Sequence, residues 1–359
     1  MIKKSIAFLL PRVSLQPAGG YKVIFEYANH MAAVGFEVHI VYPAYIFRYG
    51  SSGILNLVRK AKDLIVSRKE RRAYTTWFPL HANVKEHFVW DLQEKRVPEA
   101  DYYVATYIKT AIYLDQYIQI DAQHKLYFIQ GYENWSDVGD ENVIKSYHLN
   151  LRKIVVSKWL ENIVNKSGET CTFIPNGFDF SYFQKNINIE DKDKYCITML
   201  YHENELKGCA DGFKALAMVK EKFPALHVNL FGVPEKPKDL PQWYTYFRMP
   251  DKETHNRIYN EAAIFLGTSH NEGWGLTIGE AMICGCAIVC TDNRGYKEMV
   301  SNESTALISP IKAPEALAEN IIRLLEDDSL RMALAARGNE HIKKFNWESS
   351  LKKFEGLFT

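Results

Sequence analysis

Short apolar runs alternate along this chain with stretches whose apolar residues return at helical spacing. The runs predict strands at Ile6–Leu10, Glu37–Tyr42, Tyr102–Ala105, Lys125–Gln130, Lys153–Val156 and Cys171–Ile174. A second series follows at Tyr195–Leu200, Leu226–Phe231, Ala263–Gly267, Ala287–Thr291 and Ala306–Ile308. Helical periodicity lies between most of them, as at Val23–Val34, Cys209–Phe223, Thr277–Ile283 and Ala313–Glu326. Apolar strands alternating with helices predict parallel sheets covered on both faces, an α/β fold. Eleven such strands are too many for one doubly wound sheet of usual size, so two Rossmann-like halves are expected. Residues 1–176 and 177–344 are the expected domains, divided near Pro175-Asn176-Gly177, where turn residues lead into a polar, charged stretch. The last helical stretch, 345–359, is expected to pack back on the first domain. Such sheets bind ligands at the carboxyl ends of their strands, so two domains facing a central cleft would carry the chemistry at its lips.

Composition narrows this picture only modestly. The 359 residues are 47% hydrophobic and 24% charged, as expected of two globular domains. A net charge of +1 points to no nucleic-acid partner. The six cysteines, Cys171, Cys196, Cys209, Cys284, Cys286 and Cys290, form no C-x-x-C pair and no His/Cys cluster with ligand spacing. They read as reduced thiols, with no zinc site. At the N-terminus two lysines precede the apolar run Ile6–Leu10, which is too short for a signal peptide and reads as a first strand. No stretch approaches the roughly 18 apolar residues of a membrane span, and a cytoplasmic protein is expected. One segment stands out, residues 54–72, where apolar positions recur at helical spacing. Residues 44–78 around it carry eight Lys/Arg against two Asp/Glu. Two readings stay open for it: a packed helix with a solvated basic face, and peripheral docking on the anionic inner face of a membrane.

The densest candidate chemistry lies in "SHNEGWGLTIGEAM", Ser269–Met282, which joins a predicted strand to a predicted helix. Backbone amides at a helix N-terminus attract anions, and Gly273 and Gly275 allow a ligand close to the backbone. A second strand-to-helix turn, at "YHENELKG", places Lys207 before a helix, where its ammonium suits phosphate. Two anion sites in one half suggest a diphosphate. Glu280 has two readings, a ribose-binding carboxylate and the far member of a Thr277-x-x-Glu280 capping box. Glu272 is read either as a functional acid or as a solvated loop carboxylate. The single Asp-x-Asp, Asp191-Lys192-Asp193, precedes a strand and reads as solvated linker, so no metal site is expected.

The run "NEGWGLTIGEAM" resembles the E-x7-E motif of retaining glycosyltransferases of family 4, which have the GT-B fold. Further likeness lies in "LPRVSLQPAGGYKVIFEYANHMAAVGFEVHIVYP", "VVSKWL", "IPNGFDFSYF" and "LKG", nearly the full length of the chain. The short "YFIQGYENW" is similar to a subset that builds bacterial surface polysaccharides, some of them rhamnosyltransferases. The resemblance implies transfer of a sugar from a nucleotide-diphosphate sugar to a hydroxyl of a glycan or lipid-linked glycan, without metal or other cofactor. It implies that Glu272 binds the donor sugar, Glu280 the ribose, the amides of Gly275 and Leu276 the diphosphate, and Lys207 the leaving phosphate. Trp274 belongs to the same donor segment. Gly19 and Gly20 are expected in the loop after the first strand, where bare backbone would approach the phosphates; a plain glycine turn is the other reading. The family's arginine before the lysine is missing, and His202 stands in the segment instead, with Arg248, Arg257 and Arg294 as other sources of charge. Arg248 and Met249, in a turn at "YFRMPDKE", are expected near the nucleobase, a surface turn being the alternative. Where the family often has a histidine, this chain has Gln130-Gly131-Tyr132-Glu133. Glu133 is the candidate catalytic carboxylate there, against the reading of a surface acid, and Tyr132 and Trp135 are candidates to stack on a sugar. Two other functions stay open: a non-catalytic sugar-nucleotide-binding subunit of an active transferase, and a GT-B phosphorylase.

Overall fold

The computed structural model describes residues 4–47, 49, 75–134 and 137–358; the basic segment 54–72 and Trp135 lie outside the described residues. The chain divides into two compact units, Met1–Pro175 with Ser350–Thr359, and Asn176–Ser349.

The first unit runs β1 (Ser5–Leu9), α1 (Gly19–Ala33), β2 (Glu37–Pro43), β3 (Val84–Val89), β4 (Tyr102–Ala105), α2 (Ile108–Asp115), β5 (Lys125–Ile129), α3 (Gly139–Tyr147), β6 (Arg152–Val155), α4 (Lys158–Lys166) and β7 (Cys171–Phe173). Its strands form one parallel sheet in the order β3-β2-β1-β4-β5-β6-β7. Strands β1 and β5 are apolar and buried nearly throughout, because helices cover both faces. The core gathers aromatic rings: Tyr27 and Phe128 meet edge to face, 5.3 Å between centroids.

The second unit runs β8 (Asp193–Tyr201), α5 (Cys209–Lys222), β9 (His227–Gly232), β10 (Tyr244–Arg248), α6 (Lys252–Glu261), β11 (Ala262–Gly267), α7 (Leu276–Ile283), β12 (Ala287–Thr291), β13 (Ala306–Ser309), α8 (Pro314–Glu326) and α9 (Asp328–Ile342). Helix α10 (Trp347–Glu355) follows. The sheet is again parallel, ordered β10-β9-β8-β11-β12-β13. Its core is aliphatic, built from Ile197, Met199, Leu216, Val228, Ile264, Leu266 and Val289 against Leu317, Ile321 and Leu334. Both sheets thus have the doubly wound order in which the second and third strands lie on one side of the first and the fourth lies on the other.

Two strands differ from the sequence expectation. Val84–Val89 was not expected as a strand, and Tyr244–Arg248 was expected as part of a turn; both are edge strands. Helix α1 also starts earlier, at Gly19, so Gly19 and Gly20 are its first two residues and do not lie in a loop. Among the described residues no helix is long and apolar enough to cross a membrane.

Candidate functional site

In the second sheet β8 and β11 are neighbours, although most of a doubly wound half separates them in sequence. Here the strand order reverses, and ligands of such sheets collect beyond the carboxyl ends at this switch point. Strand β8 leads through a short 3-10 turn, Glu205–Lys207, to Gly208 and α5. Strand β11 leads through residues 268–275 to α7. The two loops are stitched together. The His270 amide donates to the Leu206 carbonyl at 2.8 Å, and Thr268 Oγ1 donates to the Lys207 carbonyl at 2.7 Å. His270 Nε2 lies 2.7 Å from Asp211 Oδ2 on α5. Gly208 has φ of 62°, and a Cβ there would fall 2.0 Å from the Thr268 carbonyl oxygen. Only glycine permits both this left-handed turn and the close approach of the loops.

This stitching brings Lys207 and Glu272 together. Lys207 Nζ donates to Glu272 Oε1 at 2.7 Å, with side-chain exposures of 27% and 16%. Ser269 Oγ donates to the same oxygen at 2.8 Å. The two residues separately expected at phosphate and at sugar are therefore an ion pair. Its charges are still partly open to solvent, so an anion can compete for the ammonium and hydroxyls can compete for the carboxylate. Glu272 is not a free loop acid. Sequence reasoning missed Ser269, three residues before Glu272 on the same turn, together with Thr291 and Asn293. Thr291 Oγ1 and Asn293 Nδ2 both donate to the Ser269 carbonyl, at 2.5 and 2.8 Å.

Helix α7 supplies the backbone part of the site. Its N-cap is Gly275, with φ of 102°; a Cβ at Gly275 would lie 2.6 Å from the Tyr296 ring. The first helical amides follow from Leu276, and Gly273 is half-buried in the loop before them. With Gly275 as cap, Thr277 and Glu280 do not occupy the N-cap and N3 positions, so the expected capping box is not formed. Glu280 is instead buried at 6% exposure, and its Oε2 accepts the Tyr259 hydroxyl at 3.1 Å. Burial first, and then the neighbouring Glu280, push the Tyr259 phenol far above its ordinary pKa. Trp274 turns inward. It is 3% exposed and packs edge to face on Phe345, 5.4 Å between centroids, so it offers no open ring.

The remaining expected charges are distributed around this centre. His202 is exposed beyond β8, and its Nδ1 accepts the Asn204 amide at 2.9 Å. Partial desolvation first, and then the Lys207 charge, hold its pKa below the ordinary histidine value, which favours the neutral ring. Arg248 ends β10 and pairs with Glu235 at 3.0 Å. Met249 follows with φ of 43° and 42% exposure, its amide donating to the Gly232 carbonyl at 2.8 Å. Arg257 pairs with Glu261 along α6 at 2.9 Å. Arg294 is exposed and adjoins Gly295, whose Cβ position lies 2.5 Å from the Glu272 carbonyl oxygen. Among the described residues no group of three or more His, Cys, Asp or Glu side chains is placed to hold a metal ion.

In the first unit Gly19 and Gly20 open α1, and the Gly20 carbonyl accepts Gln130 Nε2 at 3.1 Å. Glu133 is not a surface acid: it is 5% exposed. Its Oε2 accepts the amide of Ile108, first residue of α2, at 2.7 Å and faces the Tyr127 hydroxyl at 3.4 Å. Burial pushes its pKa up to about 8, opposed by those two hydrogen bonds.

The chain is similar to known proteins both in sequence and in fold. Residues 181–341 match the family model described as glycosyl transferases group 1. A phosphatidyl-myo-inositol mannosyltransferase of Mycolicibacterium smegmatis is 23% identical over 222 residues, 58% of this chain and 57% of the relative. An N,N'-diacetylbacillosaminyl-diphospho-undecaprenol alpha-1,3-N-acetylgalactosaminyltransferase of Campylobacter jejuni is 31% identical over 181 residues, 49% of this chain and 47% of the relative. The chain thus spans about half the length of the curated relatives it matches. Solved structures are similar over the whole chain. HepE of Anabaena, crystallised with UDP and glucose, has a TM-score of 0.73 at 14% identity, covering 99% of each chain. Sucrose-phosphate synthase from Thermosynechococcus elongatus has a TM-score of 0.70 at 17% identity, covering 99% of this chain and 98% of that one. With two doubly wound parallel sheets, the fold is GT-B, and the segment 181–341 belongs to the glycosyl transferases group 1 family.

Proposed function

We propose that the protein is a retaining glycosyltransferase that moves a sugar from a nucleoside-diphosphate sugar to a hydroxyl of a glycan or lipid-linked glycan in surface-glycan assembly. The observation that carries the reading is the Lys207–Glu272 pair at the switch point of the second sheet, beside the N-terminus of α7. Relatives named for phosphatidyl-myo-inositol and for a diphospho-undecaprenol carrier support a lipid-linked acceptor.

In this reading the donor's diphosphate takes Lys207 from Glu272, and the amides at Gly275 and Leu276 hold the same anion. Glu272 then accepts hydroxyls of the sugar, Glu280 the ribose, and Arg248 and Met249 flank the nucleobase. As the bond from C1 to the phosphate oxygen breaks, negative charge grows on the leaving diphosphate, and Lys207 and the helix N-terminus stabilise it without rearrangement. The acceptor oxygen bonds to C1 on the face the phosphate leaves, and its proton passes to the departing phosphate oxygen. Configuration at C1 is thereby kept. No cofactor enters this scheme.

A thermal-shift panel of UDP-, GDP- and dTDP-sugars, including dTDP-rhamnose, tests the reading. One nucleotide class should raise Tm, and transfer from that donor should give a product with the donor's anomeric configuration. Lys207→Ala and Glu272→Ala should each lower kcat/KM by about a hundred-fold or more. Turnover unchanged in both variants, or a donor-independent melting curve, contradicts the assignment.

A further inference from the structure

Glu272 Oε1 is held by two donors of different character. One is the Lys207 ammonium, on a flexible stem and 27% exposed. The other is Ser269 Oγ, on a short side chain whose residue is 3% exposed. Ser269 is fixed from behind: its carbonyl accepts both Thr291 Oγ1 and Asn293 Nδ2, and these residues are 1% and 3% exposed. Asn293 Oδ1 in turn accepts the Tyr296 amide at 3.0 Å. The Ser269 backbone, which carries the hydroxyl, is therefore anchored in a buried network running from the end of β12, whereas the ammonium is a partner that an incoming anion can take.

We infer that Ser269 is the positioning residue for Glu272, holding the carboxylate in place when Lys207 turns from it to the donor's diphosphate. The inference rests on the donor assignment proposed above. Without the Ser269 hydroxyl the carboxylate keeps no fixed neutral partner among the described residues once the lysine leaves, and its three side-chain torsions must be ordered by the sugar itself. Phosphate recognition does not pass through Ser269, because Lys207 and the α7 amides reach the anion directly. The serine thus acts on one part of the ligand only.

Isothermal titration of wild type, Ser269→Ala and Ser269→Thr separates the two parts, using the nucleoside diphosphate and the corresponding nucleotide sugar found by the donor panel. Wild type should bind the nucleotide sugar more tightly than the diphosphate. In Ser269→Ala the affinity for the nucleoside diphosphate should stay within about two-fold. Affinity for the nucleotide sugar should fall roughly ten-fold, the effect of one hydrogen bond to a charged group. Ser269→Thr, which keeps the hydroxyl, should recover most of that loss. A melting curve for each variant checks that the loop is folded. Equal loss for both ligands, or no loss for either, overturns the inference while leaving the donor assignment standing. A wild type that binds neither ligand overturns both.

Discussion

Glu133 receives the first amide of α2 on a carboxylate taken almost wholly out of water. Its pKa, pushed from the ordinary 4.5 to about 8, means that the folded chain keeps a proton there that the unfolded chain has lost. Below the unfolded value both states are protonated, and the residue makes no pH-dependent contribution. Between the two values folding takes up a proton, so stability falls as pH rises, levelling off above about 8. Glu133→Gln removes this titration and keeps an oxygen for the Ile108 amide. Urea unfolding should find it close to wild type near pH 5 and more stable by about 2–4 kcal/mol near pH 9. A constant difference across that range would mean that the carboxyl does not titrate as its burial dictates. The Lys207–Glu272 pair obeys different rules, because it is partly open to water and, in the proposed reading, its two members exchange partners when the donor binds. A buried acid of the first kind shapes its unit, whereas an exchangeable pair of the second kind can recognise a ligand.

At the scale of elements, what was legible from sequence depended on how completely an element is buried. Strands such as β5, β11 and β12 are apolar at nearly every position, and their runs stood out. Strand β3, "VKEHFV", and strand β10, "YTYFR", are edge strands with mixed polarity and partial burial, so they left no clear run. The loop 268–275 was legible as a strand-to-helix turn, but the failure of the capping-box reading of Glu280 was not, because Gly275 takes the cap through a left-handed φ that spacing does not encode. Nor was the Lys207–Glu272 pair legible, since their meeting depends on β8 lying beside β11. A further miss is Lys192, read as part of a solvated linker. Its flanking aspartates are exposed, but Lys192 is buried, and its Nζ donates to the carbonyls of Tyr259, Asn260 and Ala262 at 3.0, 2.7 and 2.9 Å. It closes the carboxyl end of α6, the helix whose Tyr259 donates to Glu280. Lys192→Met should cost about 2–4 kcal/mol by leaving those carbonyls without their donor. It should also weaken nucleotide binding through Tyr259 and Glu280. Chemical denaturation and donor titration check this, and a variant as stable as wild type would show that the carbonyls find other partners.

At the scale of the whole molecule, the first unit is completed by residues from the far end of the chain. Phe354 and Phe358 are fully buried. Phe354 lies 4.4 Å from the Tyr27 ring and 6.2 Å from Phe8, and Phe358 lies 5.0 Å from Tyr102. The Phe358 carbonyl accepts Lys4 Nζ at 2.6 Å, and the Leu357 carbonyl accepts Arg152 at 3.1 Å. Removing a buried phenylalanine costs about 3–5 kcal/mol, so losing two approaches the whole stability of an ordinary domain. The second unit has its own aliphatic core, with no member beyond Ala335. Deleting Ser350–Thr359 should therefore unfold the first unit and spare the second. Hydrogen exchange read by mass spectrometry should lose protection across β1, β4 and β5 while β8, β11 and β12 keep theirs. The shortened chain should still bind a nucleoside diphosphate, because Lys207 and α7 lie in the unit that survives. Protection lost equally from both sheets would mean that the two units fold as one cooperative body, and protection lost from neither would mean that the terminal phenylalanines are dispensable to the core they fill.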